Sequence, residues 1–282
     1  MGALANETND SQSCLEHNIL CLALRKADAA KRERPDLRLA FAHSQMGIAY
    51  MMTRKFALAT EYFKQSIELL KSIEVDVDEF GFPVCNLGLA YWIQGMLDDA
   101  DTALTDLREQ RQKRHGELDT VSYKTGRVLQ ALGNVKASKA KKLEQSGDHK
   151  EAQKLWDASF AIHTDCLRQY ESTLGKFNHR TADACHKLAE HHIRRKEHAL
   201  AQDYLDRALE IWGDRPWFRN ESARSSFLRG THLVSMQGRS NVAEGKRWIE
   251  RATLLRKEIV PEEAPKNLET ADFDNLVCFW SI

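Results

Sequence analysis

An all-α fold of successive helical hairpins, about five in number, is predicted by three observations. The 282-residue chain carries only 14 Gly and 5 Pro, so helix breakers are sparse. Its other residues are rich in Ala, Leu, Lys, Glu and Arg, the strong helix formers. A pattern of small and large side chains also recurs along it. In NLGLAYWIQGMLDDADTAL, Gly88 is followed by Tyr91, Ala100, Leu104 and Leu107, at offsets of 3, 12, 16 and 19. Gly47, Tyr50, Ala59, Phe63 and Ser66 repeat those offsets, as do Ala189, His192, Ala201, Leu205 and Ala208. Ala152, Trp156 and Ser159 give the second half of a unit, and Gly245, Ile249 and Ala252 a poorer match with extra residues in its turn.

The offsets have a mechanical meaning. Residues three apart share one face of a first helix, and those at 12, 16 and 19 share one face of a second. Between them lies a tight turn: TRK, QGM, SGD or RRK. Small residues belong where two helix backbones approach closely. One hairpin cannot bury such a face alone, whereas a stack can.

Residues 1–11 are polar and expected to be disordered; 12–282 are expected to form a single domain. A helix over 12–33, with Leu15, Ile19, Cys21, Leu22 and Ala29, reads as the second half of a hairpin. Hairpins are then expected at 36–74, 81–115, 117–172, 179–213 and 217–258, with a first helix over 117–146 longer than the others. Pro83, Pro216, Pro261 and Pro265 read as helix starts or connections, and the apolar 270–281 as a capping helix.

The 41 basic side chains balance the 41 acidic ones, which argues against a global pull toward nucleic acid or an anionic membrane. Basic stretches at 108–115, 136–142 and 192–198 are interrupted by acids or lie on helices with an apolar face. No apolar run reaches the roughly 20 residues of a membrane span, and the N-terminus lacks the basic start and apolar core of a secretory signal. A cytoplasmic location is expected. The six scattered Cys contain no CxxC and read as reduced, mostly core residues.

The motif "LGLAY" followed by "DDADTAL" resembles the tetratricopeptide repeat (TPR) family. The spacings between units (41, 52, 49 and 44) exceed the roughly 34 of the standard repeat, as in the longer kinesin-light-chain style. "GLAYWIQG", "HRTADACHKLAEH" and "DFDNLVCFWSI" look like fungal TPR arrays, which occur alone or as sensor ends of NLR-type nucleotide-binding proteins. The resemblance implies a right-handed α-α superhelix (a TPR solenoid) with a concave groove lined by first helices. Because this chain has no GxxxxGK, a signalling NTPase would be an upstream or in-trans partner.

By that resemblance, groove positions lie one and four residues after the small residue and two, three and six before it. In the first hairpin these are Phe41, Ser44, Gln45, Ile48 and Met51; in the second, Phe82, Cys85, Asn86, Leu89 and Trp92. The third offers Tyr123, Arg127, Gln130, Asn134 and Lys141, and the fourth Asp183, His186, Lys187, Glu190 and Ile193. Such a groove is apolar at one end and charged at the other, which suits an amphipathic helix or a peptide with a hydrophobic anchor. Ser44 and Ile48 stand where chaperone-tail binders of the family carry Lys and Asn, which argues against that ligand, although Asn86 matches.

Chemistry has little footing. The densest reactive cluster is His179, Cys185, His186, His191, His192 and His198. Zinc needs about four converging ligands, and no HExxH is present. Core or solvated histidines are the simpler reading. Neither GxSxG, GxGxxG nor a carboxylate pair in catalytic context occurs. The expectation is a non-enzymatic protein-interaction scaffold without cofactor or metal. An RNA- or metal-binding helical repeat protein is the alternative.

Overall fold

The hairpin turns show how the sequence breaks its helices. Lys55 N donates to Tyr50 O (2.8 Å) and Arg54 N to Met51 O (3.1 Å). The same pair of bonds closes the turns at Met96 and Gly95, at Asp148 and Gly147, and at Glu197 and Lys196. This is the Schellman arrangement, which satisfies the last carbonyls of a helix and needs one residue with positive φ. Arg54 (58°), Gly95 (77°), Gly147 (89°) and Lys196 (62°) supply it, within the four turns expected from the sequence.

The computed structural model describes residues 10–32, 36–73, 75–117, 119–262 and 267–282. The polar start expected at 1–11 falls outside these except for Asp10 and Ser11, and Pro265 falls outside as well. Among the described residues the elements are helices α1 (Ser11–Arg32), α2 (Leu37–Met52), α3 (Phe56–Ser72), α4 (Val77–Ile93), α5 (Leu97–His115), α6 (Lys124–Gln145), α7 (His149–Leu174), α8 (His179–Arg194) and α9 (His198–Trp212). A 3₁₀ turn (Pro216–Phe218) then leads to α10 (Arg219–Ser235), α11 (Arg239–Ile259) and the short α12 (Thr270–Asp274). None of these helices is long and apolar enough to cross a membrane. Two compact units are present, Met1–Gln169 and Tyr170–Ile282.

Three element boundaries differ from the sequence reading. Helix α4 begins at Val77, not at 81, so Pro83 lies inside it. Asp76 caps it, its Oδ1 accepting from Asp78 N (2.8 Å), and Asp78 and Glu79 in the first turn suit the helix dipole. Helix α6 begins at Lys124 instead of 117 because Asp119 Oδ1 takes the amides of Val121 (3.0 Å) and Ser122 (2.9 Å) into a loop. The helix expected over 270–281 stops at Asp274. Beyond it, side chains of α10 take the carbonyls of Leu276 and Ser281, so these groups are bonded without a helix.

In the first unit, α1 packs on α2 through Cys14 and Leu22 against Ala42, Met46 and Ala49. In the three hairpins α2–α3, α4–α5 and α6–α7, a glycine of the first helix lies under a large side chain of the second. A Cβ on Gly47 would stand 2.5 Å from the Phe63 ring, and one on Gly88 2.6 Å from Leu104 Cγ. In the second unit, Gly230 and Gly245 face each other, with Ile249 alongside. There the core gathers Ala223, Phe227 and Ala252 under Phe273 of α12, whose ring stacks 4.1 Å from that of Phe227.

Candidate functional site

In the first unit the structure brings groove candidates of two hairpins together. Asn86 on α4 is fully buried, and its Oδ1 accepts from Arg127 Nη2 of α6 at 2.9 Å. The Arg127 guanidinium also sits 4.5 Å from the centre of the Phe82 ring, a cation–π contact. Further along, Trp92 Nε1 donates to Ser138 Oγ (2.7 Å). Ile48, Met51, Leu89, Arg127 and Gln130 are buried, and Phe41, Gln45, Trp92 and Tyr123 are half-buried.

Behind this face lies a second polar network. Arg111 on α5 donates to Asp119 Oδ2 (3.0 Å), Thr125 Oγ1 (2.7 Å) and Asp78 Oδ1 (3.0 Å). Burial pushes the Asp119 carboxyl up, but the Thr125 hydroxyl, the two loop amides and Arg111 outweigh it and hold it below the usual range. The network fixes the α5–α6 loop. It also accounts for much of the basic stretch at 108–115: Arg111, Arg114 and His115 pair with Asp119, Asp76 and Asp78. Lys136 and Lys139 likewise meet Asp101.

In the second unit, the face of α8 carries Asp183, His186 and Lys187, all buried, and half-buried Glu190. Asp183 Oδ1 stands 3.6 Å from Arg224 Nη2 on α10, and each side chain is 1% exposed. Burial pushes Asp183 up to about 7 against the pull of Arg224. His186 Nδ1 lies 3.0 Å from Ser225 Oγ and its Nε2 3.3 Å from Glu190 Oε1. Burial, reinforced by Arg224, drives His186 down to about 3, so it is neutral at ordinary pH. For Glu190, Lys187 and His186 overcome its desolvation and hold it well below the usual range.

The chain's own C-terminal stretch lies on this face. Asn220 Nδ2 donates to Leu276 O (2.6 Å), Arg224 Nη1 to Ser281 O (2.6 Å), and Ser281 Oγ to Asp183 Oδ2 (3.1 Å). Arg224, Glu221, Ser225 and Ser281 were not among the sequence candidates. The signal for Arg224 was present: it lies six before Gly230, the small residue of α10. Extra residues in the α10–α11 turn put Gly245 fifteen beyond Gly230 instead of twelve, which hid the register.

The histidine cluster disperses into separate contacts. His192 stacks on Tyr204 and pairs with Glu197, His179 stacks on Phe218, and His198 stacks on His232. Among the described residues, no three His, Cys, Asp or Glu side chains converge as metal ligands, and no disulfide joins the cysteines.

Comparison with known proteins agrees with this geometry. The sequence profile of the tetratricopeptide repeat matches residues 138–214, which run from α6 into the end of α9. Among solved structures, BtubC (BKLC) from P. vanneervenii is similar with a TM-score of 0.63 and 13% identity, over 92% of this chain and 95% of that one. The kinesin light chain-like repeat protein from Podospora anserina, described as having nearly identical TPR-like repeats, aligns with a TM-score of 0.53 and 12% identity, over 79% of this chain and 96% of that one. A substituted form of that Podospora protein aligns with a TM-score of 0.52 and 15% identity, over 74% and 90%. No curated protein matches the sequence. The tetratricopeptide repeat profile thus matches residues 138–214, and the chain as a whole has the all-helical hairpin fold of the TPR-like structures it aligns with.

Proposed function

We propose that the chain is a non-catalytic scaffold that holds a peptide or helix of a partner protein against the exposed faces of its first helices. The observation that carries this reading is the seating of residues 276–282 on α8 and α10. There, a first-helix face binds a non-helical stretch of chain through two backbone carbonyls, as it would bind a partner's peptide. In the first unit, the Asn86–Arg127–Phe82 group and, further along, half-buried Trp92 supply a cationic and an aromatic element of the same face. The residues with chemical potential are engaged in structural pairs, which favours binding over catalysis. The ion pairs within the basic stretches at 108–115 and 136–142 favour a protein partner over RNA. We place its action in the cytoplasm, with a signalling NTPase acting in trans among the partner classes.

The test is cross-linking of the full chain in its native cell, followed by mapping of the partner's cross-links. The reading expects them to concentrate on α4, α6 and α8 and to weaken in Trp92→Ala and Lys187→Ala chains that keep their helical content. Cross-links confined to the second helices, and unchanged in both variants, would end it.

A further inference from the structure

The C-terminal stretch after α12 does more than close the last hairpin. From Val277 to Ser281 every second side chain, Val277, Phe279 and Ser281, is buried, while Cys278 and Trp280 between them are only half-buried. A turn closed by Ser281 N donating to Cys278 O (2.8 Å) shapes the segment. Two of its anchors to α10 are backbone carbonyls, held by Asn220 and Arg224. Those anchors do not read sequence. The buried side chains do: an apolar residue, an aromatic two later and a hydroxyl two after that.

The face also carries more polar capacity than the tail uses. Arg224 Nε and Glu221 Oε2 are buried and make no hydrogen bond with the protein, and Arg224 Nη2 and Asp183 Oδ1 face each other at 3.6 Å without one. Asp183 and Arg224 are 1% exposed and Glu221 is 8% exposed. Leaving such groups without hydrogen bonds is costly, so an optimised permanent cap would be expected to engage them. The tail thus covers a face that keeps buried polar groups of its own unbonded.

From this we infer that residues 276–282 are a displaceable resident ligand of the α8–α10 face, which takes, in exchange for the tail, a partner segment patterned like Val277-x-Phe279-x-Ser281. The inference rests on the scaffold reading and adds to it a partner chemistry and a gate. The tail is tethered, so it competes at high effective concentration and sets a threshold that a partner segment must exceed. The Arg224–Asp183 pair reads the hydroxyl and the adjacent carbonyl, and the buried sites of Val277 and Phe279 read the apolar pair.

The experiment uses the full chain and, as probe, a fluorescent peptide with the sequence of residues 275–282. In Phe279→Ala, the tail loses its aromatic anchor and the face opens. The expected result is peptide binding at least about tenfold tighter than in the wild-type chain, reversed at least about tenfold when Arg224→Gln is added. Circular dichroism and the melting midpoint establish that each variant is folded. A second measurement needs no variant: excess peptide should speed amide hydrogen exchange of residues 276–282 in the wild-type chain while α10 stays protected. A folded Phe279→Ala chain that binds no better than wild type, or a wild-type tail whose exchange is unmoved by saturating peptide, overturns the inference. If the partner cross-links on α4, α6 and α8 survive that outcome, only the gate is lost; if they too are missing, the scaffold reading falls with it.

Discussion

Ser159 on α7 donates its hydroxyl hydrogen to the backbone carbonyl of Gly133 on α6, at 2.8 Å across the hairpin. One rung away, Cys166 Sγ donates to the carbonyl of Gly126 (3.2 Å). One rung the other way, Ala140 and Ala152 are both fully buried. Small residues therefore recur every seventh position along both helices: 126, 133 and 140 on one, 152, 159 and 166 on the other. That ladder lets the longest hairpin of the first unit bring its backbones close over three successive levels. Two side-chain groups spend their donors on carbonyls already bonded in a helix, a contact available only at close approach.

Gly133→Ala tests the ladder. A Cβ there would collide with the imidazole of buried His163. Alanine gains about 1 kcal/mol of helix propensity over glycine, but overpacking costs about 1–3 kcal/mol. Net destabilisation by urea unfolding is expected, whereas Glu109→Gln on an exposed position of α5 should shift stability by less than about 0.5 kcal/mol. A Gly133→Ala chain as stable as wild type would mean that the helices are farther apart than described.

The repeat was legible in the sequence because its cause is local and steric. A small residue at fixed offsets from an aromatic and a second small residue is dictated by backbone approach, so Gly47, Gly88 and Ala189 marked their hairpins directly. The turns were legible for the same reason: TRK and RRK hold one residue in the left-handed region as QGM and SGD do. What could not be read was long-range. Nothing near Asp119 announces that its carboxylate will receive Arg111 and hold 119–123 out of a helix. Nothing near Ser281 announces Asp183, 98 residues away. The α10 register was hidden by a longer turn, and with it Arg224. Side chains that meet across hairpins carry no spacing rule, and most of the candidate site in the second unit is of that kind.

The Asn86–Arg127 contact predicts an asymmetry between two substitutions. Asn86→Leu removes the acceptor of a buried guanidinium N–H and should cost about 2–4 kcal/mol. Asn86→Asp keeps the acceptor, adds a charge-assisted bond, and forfeits only an Nδ2 that makes no hydrogen bond. Its cost should be the smaller by at least about 1 kcal/mol. Paired urea titrations decide the matter, and equal losses would show that Asn86 does not serve Arg127.

Asp119→Ala should be among the most damaging changes in the first unit. It strips the carboxylate from Arg111 and Thr125, both buried, and frees the loop amides of Val121 and Ser122. Gln169 also donates to the Asp119 backbone carbonyl, so the loop is held from α7 as well. Breaking one partner of a buried ion pair typically costs about 3–5 kcal/mol. Asp119→Asn retains the loop bonds and should lose less. Melting midpoints of the two variants separate the roles; if Asn and Ala are alike, the charge on Asp119 carries the whole effect and the loop bonds carry none.

Acid should weaken the second unit well before its ordinary carboxylates titrate. Burial holds His179 at about 4, His186 at about 3 and His191 at about 4 in the folded chain, against 6.5 for an unperturbed imidazole. A depressed folded pKa contributes stability that is present above 6.5 and lost as the pH falls through the folded value, because the unfolded chain takes up protons that the folded one refuses. Asp183, raised by burial to about 7, and Glu221, raised above its usual 4.5, act in the opposite sense: their contribution is present below the unfolded carboxylate range and lost as the pH rises through the folded values. Between pH 4.5 and 6.5 these three histidines, joined by His232, which burial also lowers, make the unfolded chain the stronger proton binder while Asp183 and Glu221 oppose them, so stability falls on acidification. His186→Gln removes the most strongly lowered of them and should make the dependence in that window shallower. Urea unfolding followed by the fluorescence of a chain that keeps Trp212, buried beside Ser225, with the other five Trp replaced by Phe, reads the unit. Stability that holds steady or rises from pH 6.5 to 4.5 in the unaltered chain would show that these imidazoles are not kept neutral by the fold.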